Sequence, residues 1–180
     1  MRIFYILILI LVPINVLADD KWDFAKLEEG VSYGALAGEV THGDKLRFVM
    51  RKDHCDTVQH IVTFYTYQKP NDISQLKGQK IPVQINDVSG FEIKAFMVRP
   101  FLMGYQVWFS LGTWPVDTLA SALKEFDTYE IKIVDGHGFK AERYFDITFN
   151  NWELDNVGDA FQRIKSNCLE LSEIENKLIS

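Results

Sequence analysis

Alternation of residues with a period of two governs most of this chain and leaves few folds open to it. Leu46, Phe48 and Met50 alternate with Arg47 and Val49, and Ile81, Val83 and Ile85 with Pro82 and Gln84. Phe91, Ile93, Ala95 and Met97 share one face, with Glu92 and Lys94 on the other. Tyr105, Val107, Phe109 and Leu111 alternate with Gln106 and Ser110, Tyr129, Ile131 and Ile133 with Glu130 and Lys132, and Phe145, Ile147 and Phe149 with Asp146 and Thr148. Successive side chains of a strand point to opposite faces, so each run sets one face on a core and the other in water, as antiparallel sheets do.

The breaks between the runs carry turn chemistry. His42-Gly43-Asp44 separates Ser32–Val40 from Lys45–Arg51, and Asp87-Val88-Ser89-Gly90 separates the Lys80 run from the Phe91 run. Asp135-Gly136-His137-Gly138 separates the Tyr129 run from Glu142–Phe149. Each holds a glycine able to take positive φ, which is a hairpin signal. The polar stretch Lys69–Lys80, with Pro70, Asn71, Asp72 and Gly78, is expected to be the longest loop. Two helices interrupt the strands. Pro115–Phe126 opens on a first-turn proline and sets Val116, Leu119, Ala120 and Leu123 on one side. From Leu154 to about Glu170, the residues Leu154, Val157, Phe161, Ile164 and Cys168 form one stripe at spacings of three and four. The tail 170–180 continues that stripe weakly and is expected to be loose. The expected fold is α+β and mainly β: an antiparallel sandwich or a strongly curled sheet, with one internal helix and a C-terminal helix packed against it. A closed barrel is the alternative.

The N-terminus bears on compartment. Arg2 precedes an unbroken apolar run from Ile3 to Val12, Pro13 and Asn15 break it, and Val16-Leu17-Ala18 offers small residues to a signal peptidase. This order is that of a cleavable secretory signal, and the run is short for a membrane span. We therefore expect residues 1–18 to be removed, leaving residues 19–180 as a single exported domain, periplasmic or extracellular, with no span of the membrane. Loss of Arg2 takes the formal net charge from −6 to −7. An acidic chain without a basic run gains nothing from the counterion release that drives nucleic-acid binding, so no nucleic-acid partner is expected. The two cysteines, Cys55 and Cys168, lie beyond the leader. An even count in an exported chain favours a disulfide, here between an early segment and the C-terminal helix.

Candidate chemistry is thin. Asp53-His54-Cys55-Asp56 with His60 is the densest polar cluster, but it has neither zinc-ligand spacing nor, with Cys55 oxidised, a thiolate. His42 and His137 sit in turns beside Asp44 and Asp135, where turn geometry alone accounts for Asp and Gly. No serine elbow or phosphate loop is present. We therefore expect no catalytic residue, no metal and no cofactor. The turn between the Phe91 and Tyr105 runs is different. It reads Arg99-Pro100-Phe101-Leu102-Met103-Gly104, three large apolar residues where a hairpin tip should be polar, with Trp108 and Trp114 following. Aromatic, Met and Arg residues are those enriched in interface cores. Arg99, Phe101, Leu102, Met103, Trp108 and Trp114 are the candidate binding residues. The opposing possibility is that the tip folds back to close the core.

The ending Phe145–Cys168, with Trp152-Glu153-Leu154, Ala160 and a late cysteine on a helix, is loosely similar to the tails of small periplasmic β-sandwich proteins of the invasion-associated locus B kind. The resemblance covers this ending alone and implies no function. The expected function is a non-catalytic exported binding or envelope-associated protein that takes a protein or small apolar ligand at the tip. The alternatives are a small secreted hydrolase whose site assembles only in three dimensions, and an inhibitor of a secreted enzyme. The export expectation has a direct test. Intact mass of the protein recovered after export should match a chain beginning at Asp19; a mass that retains Met1–Ala18 would mark the apolar run as an anchor.

Overall fold

Nine strands pair antiparallel among the described residues. They are β1 (Trp22–Leu27), β2 (Val31–Ala37), β3 (Lys45–Arg51), β4 (His54–Thr66), β5 (Lys80–Ile85), β6 (Val88–Phe101), β7 (Gly104–Pro115), β8 (Thr128–Ile133) and β9 (Phe149–Glu153). The computed structural model describes residues 21–41 and 43–179, with side chains through residue 174. The expected leader and His42 lie outside the described residues. The strands form a single sheet in the order β1-β2-β3-β4-β7-β6-β5-β8-β9. Of the expected alternatives, this is the curled sheet: one sheet, not the two of a sandwich.

The curl comes from bulges. Register shifts occur between Val49 and Arg51, Gln59 and Ile61, Val83 and Ile85, and Ala95 and Met97, and an extra residue bends and twists a strand. The sheet bends far enough for its two ends to meet. Glu39 N donates to Asn151 O at 3.1 Å, Val40 N to Asn150 Oδ1 at 3.0 Å, and Trp22 Nε1 to Asp155 O at 2.9 Å. These contacts join the β1–β2 end to β9 through turns and side chains rather than a ladder.

The inner face of the curl is the core. Phe64 lies edge-on to Phe109, Phe145 and Trp152 at 6.1, 6.2 and 6.3 Å, and all four are fully buried. Helix α1 (Val116–Leu123) opens after Pro115 and buries Val116, Leu119 and Leu123. A short helix, α2 (Ala141–Tyr144), precedes β9, and α3 (Val157–Ile179) closes the curl over β1–β3. Its predicted stripe is the buried one: Val157, Phe161, Ile164 and Cys168 are all inside, and Phe161 packs on Phe48 at 4.7 Å. β2 must be slim where α3 crosses. A Cβ at Gly34 would stand 2.7 Å from Ile164 Cδ1.

Three local expectations are corrected. The β5–β6 turn is Asn86–Asp87, both at positive φ (45° and 65°), with Ile85 and Val88 pairing across it; Asp87–Gly90 is not the turn. Asn and Asp tolerate the left-handed region well enough to make a two-residue hairpin without glycine. Glu142–Phe149 is not a strand. Asp135 Oδ1 accepts the Ala141 N–H at 2.9 Å and Asp135 Oδ2 holds Lys140 Nζ at 2.6 Å, which caps α2, and Asp135–Gly138 closes on itself through a Gly136–Phe139 bridge. The Lys69–Lys80 loop contains a 3₁₀ turn, Ile73–Leu76, whose Ile73 and Leu76 are buried. Helix α3 continues through the expected tail as far as Ile179.

Cys55 at the start of β4 and Cys168 on α3 form a disulfide, their Cα atoms 5.7 Å apart and 113 residues apart in sequence. The bridge fastens the closing helix to the sheet. Replacing both cysteines with alanine should lower stability by about 2–5 kcal/mol in urea unfolding, as removal of a long-loop disulfide does. Protease should then cut first within α3. Unchanged stability would mean that packing alone holds the helix.

Candidate binding surface

The β6–β7 hairpin ends in two residues. Phe101 pairs with Gly104, leaving Leu102 and Met103 as the loop. Leu102 has φ 50°, and the two side chains are 85% and 71% exposed. A two-residue loop with positive φ at its first position ordinarily has glycine there, because Cβ crowds the backbone by about 1–2 kcal/mol. The glycine of this turn is at 104 instead, and the packing requires it. A Cβ at Gly104 would lie 2.1 Å from the Thr66 carbonyl oxygen. Leucine is thus held at positive φ with its side chain in water.

Behind the tip the outer face of the sheet is aromatic and cationic. Phe101 is half-buried, edge-on to Tyr65 at 6.0 Å, and Tyr65 is edge-on to the exposed Tyr67 at 4.9 Å. Thr63, Trp108 and Met97 lie across β4, β7 and β6 in one row. The Arg47 guanidinium sits 4.4 Å from the Trp108 ring centroid and that of Arg99 sits 5.1 Å from it. Arg99 is also 5.8 Å from the Phe101 ring. Arg47 donates to Thr63 Oγ1 at 3.0 Å; Arg99 donates through Nε and Nη2 to Gln106 Oε1 at 3.2 and 2.8 Å. Gln106 in turn donates to the Gly43 carbonyl at 3.1 Å. Neither arginine has a carboxylate partner among the described residues. Burial, with the Arg99 charge acting the same way, brings the Arg47 guanidinium down to about 10, and it remains a cation. The Trp108 indole N–H is covered and has no hydrogen-bond partner among the described residues. The surface offers hydrogen-bond donors and aromatic faces.

Five of the six residues read from the sequence therefore fall on one surface, with Phe101 half-buried rather than exposed. Trp114 does not belong to it. It stands six residues along β7 from Trp108, ~20 Å away at ~3.3 Å per residue, and its indole N–H donates to Leu111 O. Arg47 and Tyr65 were missed because they come from strands distant in sequence and only the ladder brings them to this hairpin. Gln106, two residues from Trp108 on β7, was missed because a polar residue in an alternating strand is no anomaly.

The other candidate groups are placed as follows. His60 is buried between Phe48 and Tyr129 at ring distances of 5.1 and 5.4 Å, and burial pushes it down to about 3, so it is neutral. His137 is exposed, while Asp135 is taken up by Lys140 and Ala141. Asp53, His54 and Asp56 are exposed beside the bridged Cys55. No group of three or more His, Cys, Asp or Glu able to hold a metal occurs among the described residues. Two hollows, about 610 Å³ beside Lys132, Arg143 and Thr148 and about 340 Å³ beside Lys124, Asp127 and Asp159, contain no histidine or cysteine.

A buried carboxylate supports the tip from behind. Asp44 Oδ1 accepts the Tyr65 N–H at 2.5 Å and Oδ2 accepts Asn150 Nδ2 at 2.8 Å, while Asn150 Oδ1 accepts Val40 N and Asn151 N at 3.0 and 2.9 Å. The β2–β3 turn, β4 and β9 are thereby fixed together beside Gly43. Burial raises the Asp44 carboxyl from 3.8 to about 7, against the pull of its two donors. A raised folded value means that stability is highest below pH ~4 and is lost as pH rises towards 7. His60 acts oppositely: its depressed value gives stability present above ~6.5 and lost as pH falls towards 3. In urea unfolding across this range the two slopes should oppose each other in the native protein. Asp44→Asn should cost about 1–3 kcal/mol at neutral pH, since its amide meets a donor on one side, and should leave stability rising with pH up to about 6.5. A variant whose profile parallels that of the native protein would show that Asp44 titrates normally.

Comparison of the chain with protein-family models, with curated proteins and with solved structures finds no match.

Proposed function

We propose that this chain is an exported, non-catalytic binding protein of the periplasm or cell exterior. It engages its partner through the β6–β7 tip and the Arg47–Trp108–Arg99 face behind it. The observation that carries the reading is Leu102, 85% exposed at φ 50°. Glycine at this position would relieve the backbone and remove an apolar side chain from water. Strain kept at an exposed position points to use rather than to stability. The Met103 side chain beside it and the two arginines without carboxylates are consistent with a surface that is completed by something else. Export is supported by the leader-like N-terminus and is compatible with the Cys55–Cys168 bridge.

The two exposed residues make a cleaner test than Phe101, which packs on Tyr65. Leu102→Ser with Met103→Ser should leave stability within about 0.5 kcal/mol, as surface changes do. Leu102→Gly should raise it by about 1 kcal/mol by relieving the left-handed leucine. Both variants should lose capture of partners from the native envelope, by about 2 kcal/mol if Leu102 is a hot spot. A loss of about 2–5 kcal/mol in stability would show instead that the tip closes the core, and undiminished capture would remove the tip from the function.

A further inference from the structure

We propose that the occupant of this surface is a phospholipid bilayer face: Leu102 and Met103 enter its acyl region, and Arg99 and Arg47 bind the phosphodiester headgroups. The inference rests on the reading of the tip as the binding surface and names what binds there.

The argument is the order of side chains along the hairpin. Outermost are Leu102 and Met103, both exposed and uncharged. Next comes an aromatic level, Phe101 and the exposed Tyr67, both edge-on to the buried Tyr65, which shares the Gln106 rung with Arg99. Arg99 follows, three residues behind Leu102, or ~10 Å at the strand rise. Trp108 lies further back with Arg47 over it. Apolar tip, aromatic band and then cations is the sequence of environments met on leaving a bilayer. The apolar part of an interfacial element sits ~5–10 Å into the headgroup–acyl boundary. Tyr and Trp collect at headgroup level, and Arg reaches the phosphates. A tip seated to that depth sets Arg99 level with the phosphates.

Charge complementarity selects the same occupant. Arg47 and Arg99 have donors only, and no carboxylate answers them among the described residues, although the chain as a whole carries −6. Phosphodiester oxygens supply acceptors beside an apolar phase, which matches cations placed beside an apolar tip. Because the net charge is negative, insertion of the tip leads and long-range attraction to anionic lipid adds little.

The test uses protein recovered after export, with intact mass confirming loss of Met1–Ala18, since the leader itself would partition into lipid. Sucrose-loaded vesicles of phosphatidylcholine, alone or with phosphatidylglycerol at three parts to one, are sedimented with the protein. The native protein should co-sediment with both. Leu102→Ser with Met103→Ser should lower the partition coefficient about tenfold or more. Arg47→Gln with Arg99→Gln should lower it about fivefold or more, and Arg99→Lys, which keeps the charge, should lower it less. Thermal unfolding of each variant checks that the fold is intact. Native protein left in the supernatant would overturn the proposal, as would variants that sediment like it. Release of the native protein by millimolar inorganic phosphate would also overturn it, leaving a small-anion site. If vesicles fail while envelope capture still requires Leu102 and Met103, the bilayer is wrong and the tip is a protein-binding surface. If capture is also independent of the tip, both readings fall.

Discussion

A curled sheet has one face that must be kept from water along its whole length, and here that requirement falls on the contact between α3 and the inner face of β1–β3. Phe161 lies on Phe48, Ile164 presses into the space that Gly34 leaves free, and Cys168 joins Cys55 at the start of β4. Each contact is local, but together they set how tightly the sheet bends. If α3 stood further out, Phe48 and Met50 would meet water and the β1–β2 end would not reach β9. The aromatic cluster of Phe64, Phe109, Phe145 and Trp152 depends on that closure, since the adjacent strands β4 and β7 supply the first two, the segment after α2 supplies Phe145, and the end strand β9 supplies Trp152.

Closure also creates the polar problem that Asp44 answers. Where the β2–β3 turn approaches β9, the Tyr65 and Val40 N–H groups and the Asn150 side chain are drawn away from water. Asp44 and Asn150 satisfy them by a chain of hydrogen bonds in which each side-chain oxygen accepts at least one. A buried carboxylate with no cation beside it resists ionisation, and this explains its raised pKa. The same network fixes Gly43, whose carbonyl orients Gln106, which in turn holds Arg99 over Trp108. The rigidity of the outer surface is thus inherited from the polar seam of the core. The Leu102 and Met103 side chains stand outside this network, exposed at the tip.

The sequence carried the strands well and the turns less well. β3 and α3 were legible because their apolar residues recur at the period of their element. β1 was not, since Trp22–Leu27 is a short edge strand in which Trp22 is the one buried residue and the alternation is weak. Glu142–Phe149 misled because three apolar residues at alternate positions are too few to tell a strand from a capped turn followed by one. On the candidate surface, Phe101–Met103 was visible as an apolar run where a polar turn belongs. Arg47 and Gln106 carried no such anomaly, and Trp114 seemed a neighbour only because it is near in sequence.

By itself, then, the order of residues determined the antiparallel pairing tendency, the buried stripe of α3, the disulfide partners and the odd apolar tip. All of these are properties of periodicity, composition or the only pairing available. Tertiary structure alone decided that the sheet curls into one layer rather than two. It decided that Asp44 is buried instead of solvated, and that two arginines from β3 and β6 meet over one tryptophan. These depend on register and bulges across strands far apart in the chain, and a one-residue slip would turn each side chain to the other face.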